Sequence, residues 1–467
     1  MFRRFAGLST LHFIGIGGAG MSGIAEVLSE YDLRVQGSDL HLTETTARLQ
    51  RRGIKVFEGH SAEHLQGADL VVVSSAVPAD NAELAEARRR GMPVVPRAEM
   101  LAELMRLKYG IAVAGTHGKT TTTSLVGTLL TEAGLDPTVI VGGRLRVSGT
   151  GARLGKSEYL VCEADEFDRS FLRLQPIVAV ITSIDRDHLD TYADLDAILA
   201  AFTTFARKIP FFGQVIVCVD DPGVQRILPQ LTDHRVTTYG LSPQADLAAA
   251  AVESGVAGSR FLAVHHQLGE LGRVEIPLPG EHNVQNALAA VAVGLAMELE
   301  FGVIAAGLAS FSGVHRRFER LGSWRGAAVV DDYAHHPTEV AATLAAARQA
   351  FPGGRVHAVF QPHLYSRTRD LVAEFGSSLL AADHAWVTDV YGSREEPIPG
   401  VSGRLVSEAA RERGHRHVEF CPEWDRIVSG LARDVSPGDV ILTLGAGDIY
   451  RLAQELAAEE QEERHAG

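Results

Sequence analysis

The sequence is poor in cysteine, carries no surplus of positive charge and contains no long hydrophobic run. Its three cysteines, Cys162, Cys218 and Cys421, are far apart and fit no paired metal spacing. They read as reduced, buried thiols of a cytosolic protein, which excludes a disulfide scaffold. Lysine and arginine total 44 against 58 acidic residues, a formal net charge of −14. Gripping a nucleic-acid backbone needs a concentrated basic face, so nucleic acid is not expected as a partner. No run approaches the ~20 apolar residues that cross a bilayer. The opening "MFRRFAGLSTLHFIGIGG" sets arginines before apolar residues, as a signal peptide does. Glycines interrupt it, and it continues into a strand–turn–helix pattern. A cytoplasmic protein without membrane association is expected. No internal repeat or low-complexity stretch occurs either.

What is present is alternation. At 467 residues the chain is too long for one core, so two to four domains are expected. Short apolar runs alternate with helical patterns almost throughout, which predicts parallel α/β architecture. Three blocks separate at 1–107, 108–314 and 315–467. The middle block includes a short β-like excursion, "RFLAVHHQ" to "RVEIPLPG", expected to be antiparallel.

Two glycine-rich turns stand out. Gly15, Gly17 and Gly20 satisfy G-x-G-x-x-G between a strand and a helix, and Asp39 ends the next strand. That context puts a phosphate at a helix N-terminus. On residues alone it fits NAD and other pyrophosphate-bearing ligands equally. The second turn, "GIAVAGTHGKTTTTSLV", lacks the first glycine of the full P-loop pattern, because Val113 stands there. Gly115, Thr116, His117, Gly118, Lys119 and Thr120 nevertheless keep the working parts. The glycines let backbone N–H groups turn inward, the lysine brings charge to the outer phosphates, and the threonine hydroxyl suits Mg²⁺. A hydride-transfer enzyme has no use for such a lysine, whereas an ATP-driven reaction on a pyrophosphate-bearing substrate needs both turns.

Strand ends downstream deliver further polar groups. "EADEFD" offers Glu163, Asp165, Glu166 and Asp168, and "DRDHLD" offers Asp185, Asp187 and His188. Carboxylates at strand C-termini suit Mg²⁺; a lone histidine there is as readily a hydrogen-bonding group. "DDYAHHPTEV" and "QPHLYSRTRDL" supply His363, Arg367 and Arg369 among others, and an arginine fork can hold a carboxylate or a phosphate.

These motifs, with "GEHNVQNALAA", "GVHRRFE", "DVYGSREEPIPGVSG" and "GAGDI", occur in order along essentially the whole chain. In this the sequence resembles the UDP-N-acetylmuramate–L-alanine ligases of the Mur ligase family, bacterial enzymes of peptidoglycan precursor synthesis. The resemblance implies three domains: an N-terminal Rossmann-like one for the UDP-sugar, a central P-loop ATPase-type one, and a C-terminal Rossmann-like one that closes on them. It implies ATP and Mg²⁺, an acyl phosphate of the sugar's carboxylate, attack by L-alanine, and a monomer or homodimer with only small-molecule substrates as partners.

Carried over by motif, Gly15, Gly17, Gly18 and Gly20 with Ser38, Asp39 and Ser75 would hold the UDP-sugar. Gly115 to Thr121 would hold ATP, with His282, Asn283, Asn286, Arg317 and Asp332. Lys119, His188 and Arg317 would be catalytic; Thr120, Glu163 and His188 would bind metal. Tyr333, His336, His363 and Arg367 would orient the amino acid. Leu364 stands where many relatives have arginine, and Thr203 where some sister ligases have a carbamylated lysine. The competing readings are a ligase that recycles a whole tripeptide onto the same sugar and, in a different class, a nicotinamide oxidoreductase.

Overall fold

The computed structural model describes residues 7–31, 33–74, 76–142, 151–188, 191–393 and 395–466. The chain divides into two compact units. The first comprises Met1–Ala250, Leu262–Val274 and Gln285–Ser312; the second comprises Ala251–Phe261, Glu275–Val284 and Gly313–Gly467.

The first unit opens with a five-stranded sheet in the order Lys55–Glu58, Arg34–Asp39, Thr10–Ile14, Leu70–Val73, Val94–Pro96. Its strand pairs are all parallel. The chain reverses direction across the sheet at Thr10–Ile14, and such a switch point opens a crevice at the strands' carboxyl ends. The G-x-G-x-x-G turn leaves that strand and enters the helix Ala19–Ser29. Leu11, Phe13 and Ile14 are fully buried, as expected of a strand covered on both faces.

A second sheet, ten-stranded among the described residues, follows in sequence. From Gln214–Cys218 it runs through Val178–Ile181, Tyr109–Ala114 and Tyr159–Ala164 to Thr138–Ile140, all parallel. The Tyr109–Ala114 strand sits at the switch, and the lysine turn connects it to the helix Lys119–Glu132. The excursion reads out as Leu247–Gly255, Gly258–His265 and Gly269–Ile276 at one edge of this sheet. Their connections are too short for a parallel crossover, so the strands are hairpin-linked.

In the second unit the strand order is Glu319–Trp324, Ala327–Asp332, Val440–Leu444, Val356–Phe360, His384–Val387, Val418–Phe420. All pairs are parallel except the first, an antiparallel hairpin with a bulge between Arg320 and Gly322. Its interior packs Val330, Leu344, Phe360, Phe375 and Leu442.

Candidate active site

The lysine turn is built by backbone and by its neighbour strand. Gly115 has φ +141° and Gly118 φ +80°, conformations that side chains rarely adopt. The carboxyl end of Val178–Ile181 clamps the turn. Thr116 N–H donates to Ser183 O at 3.0 Å and His117 N–H to Ser183 Oγ at 3.0 Å. Thr182 Oγ1 donates to His117 O at 2.5 Å. Asp185 N–H donates to Thr116 Oγ1 at 2.9 Å, and the His117 ring lies 3.3 Å from the Asp185 carboxylate. Neither Thr182 nor Ser183 stands out in the sequence; two adjacent hydroxyl residues closing the apolar run "IVAVI" are the signal it offers.

Four consecutive threonines open the helix Lys119–Glu132, and all four are buried. Thr122 Oγ1 donates to Asn286 Oδ1 at 3.1 Å, tying the helix to Glu281–Ala296. A hydroxyl paired across a helix interface offsets the poor helix propensity of a β-branched residue. His282 and Asn283 lie in the first turn of Glu281–Ala296, and the Asn283 amide donates to Pro279 O at 2.8 Å.

Lys119 makes a short ion pair with Glu166, 2.8 Å to one carboxylate oxygen and 2.9 Å to the other. Burial alone would lower the lysine pKa; the Glu166, Asp165 and Glu163 carboxylates outweigh it and raise the value, so the ammonium stays charged. Glu163 bonds Thr120, and burial lifts its pKa against that bond, the Gly142 N–H and the Lys119 charge. Its Oε1 is buried without a hydrogen-bond partner among the described residues. An unsatisfied carboxylate oxygen beside a threonine hydroxyl is a donor set that fits a hard divalent cation. His188 adopts φ +55° and brings Nε2 to 3.8 Å from Glu166. Glu166 thus lies between Lys119 and His188, and the Lys119 charge also acts on Glu163.

At the G-x-G-x-x-G turn, Gly15 N–H and Ile16 N–H donate to Ser38 O, and Gly17 N–H donates to Asp39 Oδ2 at 2.8 Å. Asp39 therefore braces the turn itself. Gly18 precedes the helix as its N-cap. The Arg97 guanidinium lies over Gly20, where an added Cβ would sit 2.7 Å from Nη1. Arg97, at the start of the helix Arg97–Arg106, is a phosphate-capable group that the sequence did not flag. Ser38 Oγ donates to the buried Glu83 at 2.5 Å. Ser75 lies outside the described residues.

In the second unit, the two arginines of "HRRF" divide their work. Arg316 is spent on the fold, bonding Asp331 at 3.0 Å and the Gly445 and Gly447 carbonyls. Arg317 lies over the Tyr333 ring at 5.2 Å and 4.0 Å from Glu339. Asp332, at the end of Ala327–Asp332, accepts N–H groups of Phe318 and Ala334 at 2.6 and 2.8 Å. Burial, opposed by Arg317, raises its pKa to about 6. Burial and the Arg317 charge bring His282 down to about 4, leaving a neutral imidazole at pH 7.

His336 caps the helix Pro337–Ala350. Tyr333 packs edge-on to His335, His335 edge-on to His363, and His363 stacks on Tyr391. Arg367 is buried in the helix Tyr365–Asp370, which Leu364 precedes at φ +68°. The structure thus gathers Tyr333, His363 and their neighbours into one aromatic cluster.

A glycine turn bearing a lysine at the switch point of a parallel α/β sheet, with a carboxylate and a threonine beside it, presents the groups that phosphoryl transfer uses. Family models match three successive segments: the Mur ligase family catalytic domain over residues 10–109, the Mur ligase middle domain over 113–294, and the Mur ligase glutamate ligase domain over 316–447. The chain belongs to the Mur ligase family and has its three-domain α/β architecture. It is 52% identical over 447 residues to the UDP-N-acetylmuramate–L-alanine ligase of Solibacter usitatus, covering 96% of this chain and 94% of that one. Among solved structures it is similar to the UDP-N-acetylmuramate–alanine ligase of Thermotoga maritima, with 29% identity, TM-score 0.81, and coverage of 97% and 99%. A murein peptide ligase from Psychrobacter arcticus is also similar, at 25% identity and TM-score 0.70 over 96% and 98% of the two chains.

Proposed function

We propose that this chain joins L-alanine to the carboxylate of UDP-N-acetylmuramate at the expense of ATP, giving ADP and phosphate, in peptidoglycan precursor synthesis. The observation that carries the reading is the Lys119 loop beside Thr120 and Glu163, in a chain half identical over nearly its whole length to ligases of that name. A carboxylate is a poor acylating agent, and phosphorylation turns its oxygen into a leaving group. The alanine amine then attacks the acyl phosphate, the C–O bond to phosphate breaks, and an amide forms.

Ser183 holds the Thr116 and His117 N–H groups, so the N–H groups of Gly118 and Lys119 at the helix N-terminus are assigned to the nucleotide phosphates, and the Lys119 ammonium meets charge on the transferring phosphoryl group. Thr121 continues the same helix turn toward the nucleotide, while Asn283, Asn286 and His282 are assigned to the base. Arg317, with Asp332 beside it, is assigned to the phosphate chain. Thr120, Glu163 and His188 are the proposed holders of Mg²⁺, which supplies neutralising charge to the phosphoryl oxygens. Gly15, Gly17, Gly18 and Gly20, with Ser38 and Asp39, are assigned to the UDP pyrophosphate and ribose, with Arg97 added as a phosphate ligand. Tyr333, His336 and His363 position the amine, and Arg367 takes the amino acid's carboxylate with its planar fork. Domain boundaries are proposed at 107/108 and 314/315; the matched segments end at 109, run from 113 to 294 and resume at 316. No helix among the described residues is long and apolar enough to cross a membrane, and a cytoplasmic location completes the proposal.

Phosphate release with ATP, Mg²⁺ and UDP-N-acetylmuramate, measured across a panel of amino acids and the stem tripeptide, tests the assignment. Release that needs both the sugar and L-alanine is expected. Release that needs neither removes the ligase reading, and preference for the tripeptide transfers it to the recycling enzyme.

A further inference from the structure

The ammonium that should meet the terminal phosphoryl group has its donors spent inside the protein. Lys119 Nζ lies 2.6 Å from Gly115 O, 3.2 Å from Thr116 O, and 2.9 and 2.8 Å from the two Glu166 oxygens. An ammonium has three N–H donors. A phosphate oxygen is served only when one of these contacts is given up. Both carbonyls belong to the turn that holds the lysine, and Ser183 and Thr182 pin that turn from the next strand. Glu166 is the partner that can be exchanged.

Glu166 is itself 2% exposed, so yielding the ammonium is costly to it, and that cost enters the competition. The Tyr192 hydroxyl donates to Glu166 O at 2.8 Å and anchors the backbone. With the backbone anchored, only the carboxylate has to give way to an incoming phosphate oxygen.

We propose that Glu166 is the exchangeable counter-ion of Lys119: it occupies the ammonium in place of the terminal phosphoryl group, aims it, and yields it to the triphosphate. The proposal rests on the ATP reading above. It makes Glu166 a positioning residue, and it makes triphosphate binding a competition between two anions for one lysine. Removing the competing charge must then tighten binding of the triphosphate while impairing its use, since nothing holds Lys119 in line.

The test is calorimetric titration of the full chain with ADP and with a non-hydrolysable β,γ-imido ATP analogue, for wild type, Glu166→Gln and Glu166→Asp, alongside steady-state kinetics. Glu166→Gln is expected to lower the analogue's Kd about ten-fold, roughly the worth of one hydrogen bond to a charged group. The change for ADP is expected to be smaller, and kcat is expected to fall. Glu166→Asp, whose charge is withdrawn by one methylene, is expected to tighten the analogue to an intermediate degree. Analogue binding that is unchanged or weaker in either variant overturns the proposal, as does an equal shift for ADP. A wild-type chain that binds neither nucleotide removes the ATP reading and this proposal with it, whereas intact wild-type binding with an unaltered ratio in the variants removes the counter-ion alone.

Discussion

Thr182 Oγ1 occupies the space that a side chain on Gly115 would need: a Cβ built there lies 2.0 Å from that oxygen. The same hydroxyl bonds the His117 carbonyl, so the contact that forbids a side chain also shapes the turn. Gly115→Ala is expected to lose nucleotide binding and to cost about 1–3 kcal/mol of stability from overpacking, with further strain from φ +141°. Urea melts and nucleotide titration check this together. Wild-type affinity in the alanine variant would mean that the turn is not the phosphate cradle.

Lys119→Ala is expected to abolish turnover, but the fold does not escape untouched. Its removal leaves the Glu166 carboxylate buried beside Asp165 without its cation. Stripping one partner from a buried pair costs about 3–5 kcal/mol. The double variant Lys119→Ala/Glu166→Gln should recover much of the lost melting temperature and none of the activity. Recovery of turnover would remove Lys119 from the chemistry.

Asp332 sets a pH limb. Its pKa in the folded chain is about 6 against an ordinary 3.8. Because the folded value is the higher one, protonation favours the fold at low pH, and that contribution disappears as pH rises through 6. The ionised form, present above 6, is the one that fully opposes Arg317 and anchors the N–H groups of Phe318 and Ala334. The acid side of the kcat/KM profile is therefore expected to fall with an apparent pKa near 6. An Asp332→Asn variant that keeps the same limb would assign it elsewhere.

Arg367→Ala is expected to raise the KM for alanine by roughly ten-fold or more with a smaller loss in kcat, as removal of a charge-assisted carboxylate contact does. An unchanged alanine dependence would move the carboxylate site to another group.

Glu83, fully buried, gathers Ser38, His60 and His64 around one carboxylate at 2.5, 3.2 and 2.7 Å. Burial works against ionisation there, but the His12 ring 3.5 Å away and the hydrogen bonds of Ser38 and His64 prevail and hold the pKa at about 2 instead of 4.5. With the folded value the lower one, its contribution is complete above 4.5 and is lost as pH falls toward 2. Glu83→Gln is expected to lower stability by about 1–3 kcal/mol at pH 7 and to flatten the melting curve's dependence on pH in that acid window. A variant with the wild-type acid profile would refute the assignment.

Local chemistry was legible in the sequence because it is written in short spacings. A strand, two glycines and a Lys–Thr pair specify a phosphate turn, and alternation of strand and helix specifies parallel sheets. Glu166 and Asp39 were visible as residues, but their partners were not. The Lys119–Glu166 pair spans 47 positions and the Gly17–Asp39 contact spans 22. Arg97 could be joined to the first glycine turn, and Thr182 to the second, only by the order in which strands lie side by side. "HRRF" likewise offers two equivalent cations until the fold commits Arg316 to Asp331 and the Gly445 and Gly447 carbonyls. The sequence by itself determined which chemical groups are available and on which kind of turn each stands, since those depend on neighbours a few bonds away. Which groups meet was decided by the tertiary structure alone, because proximity between distant segments is a property of the packed sheet and not of the chain.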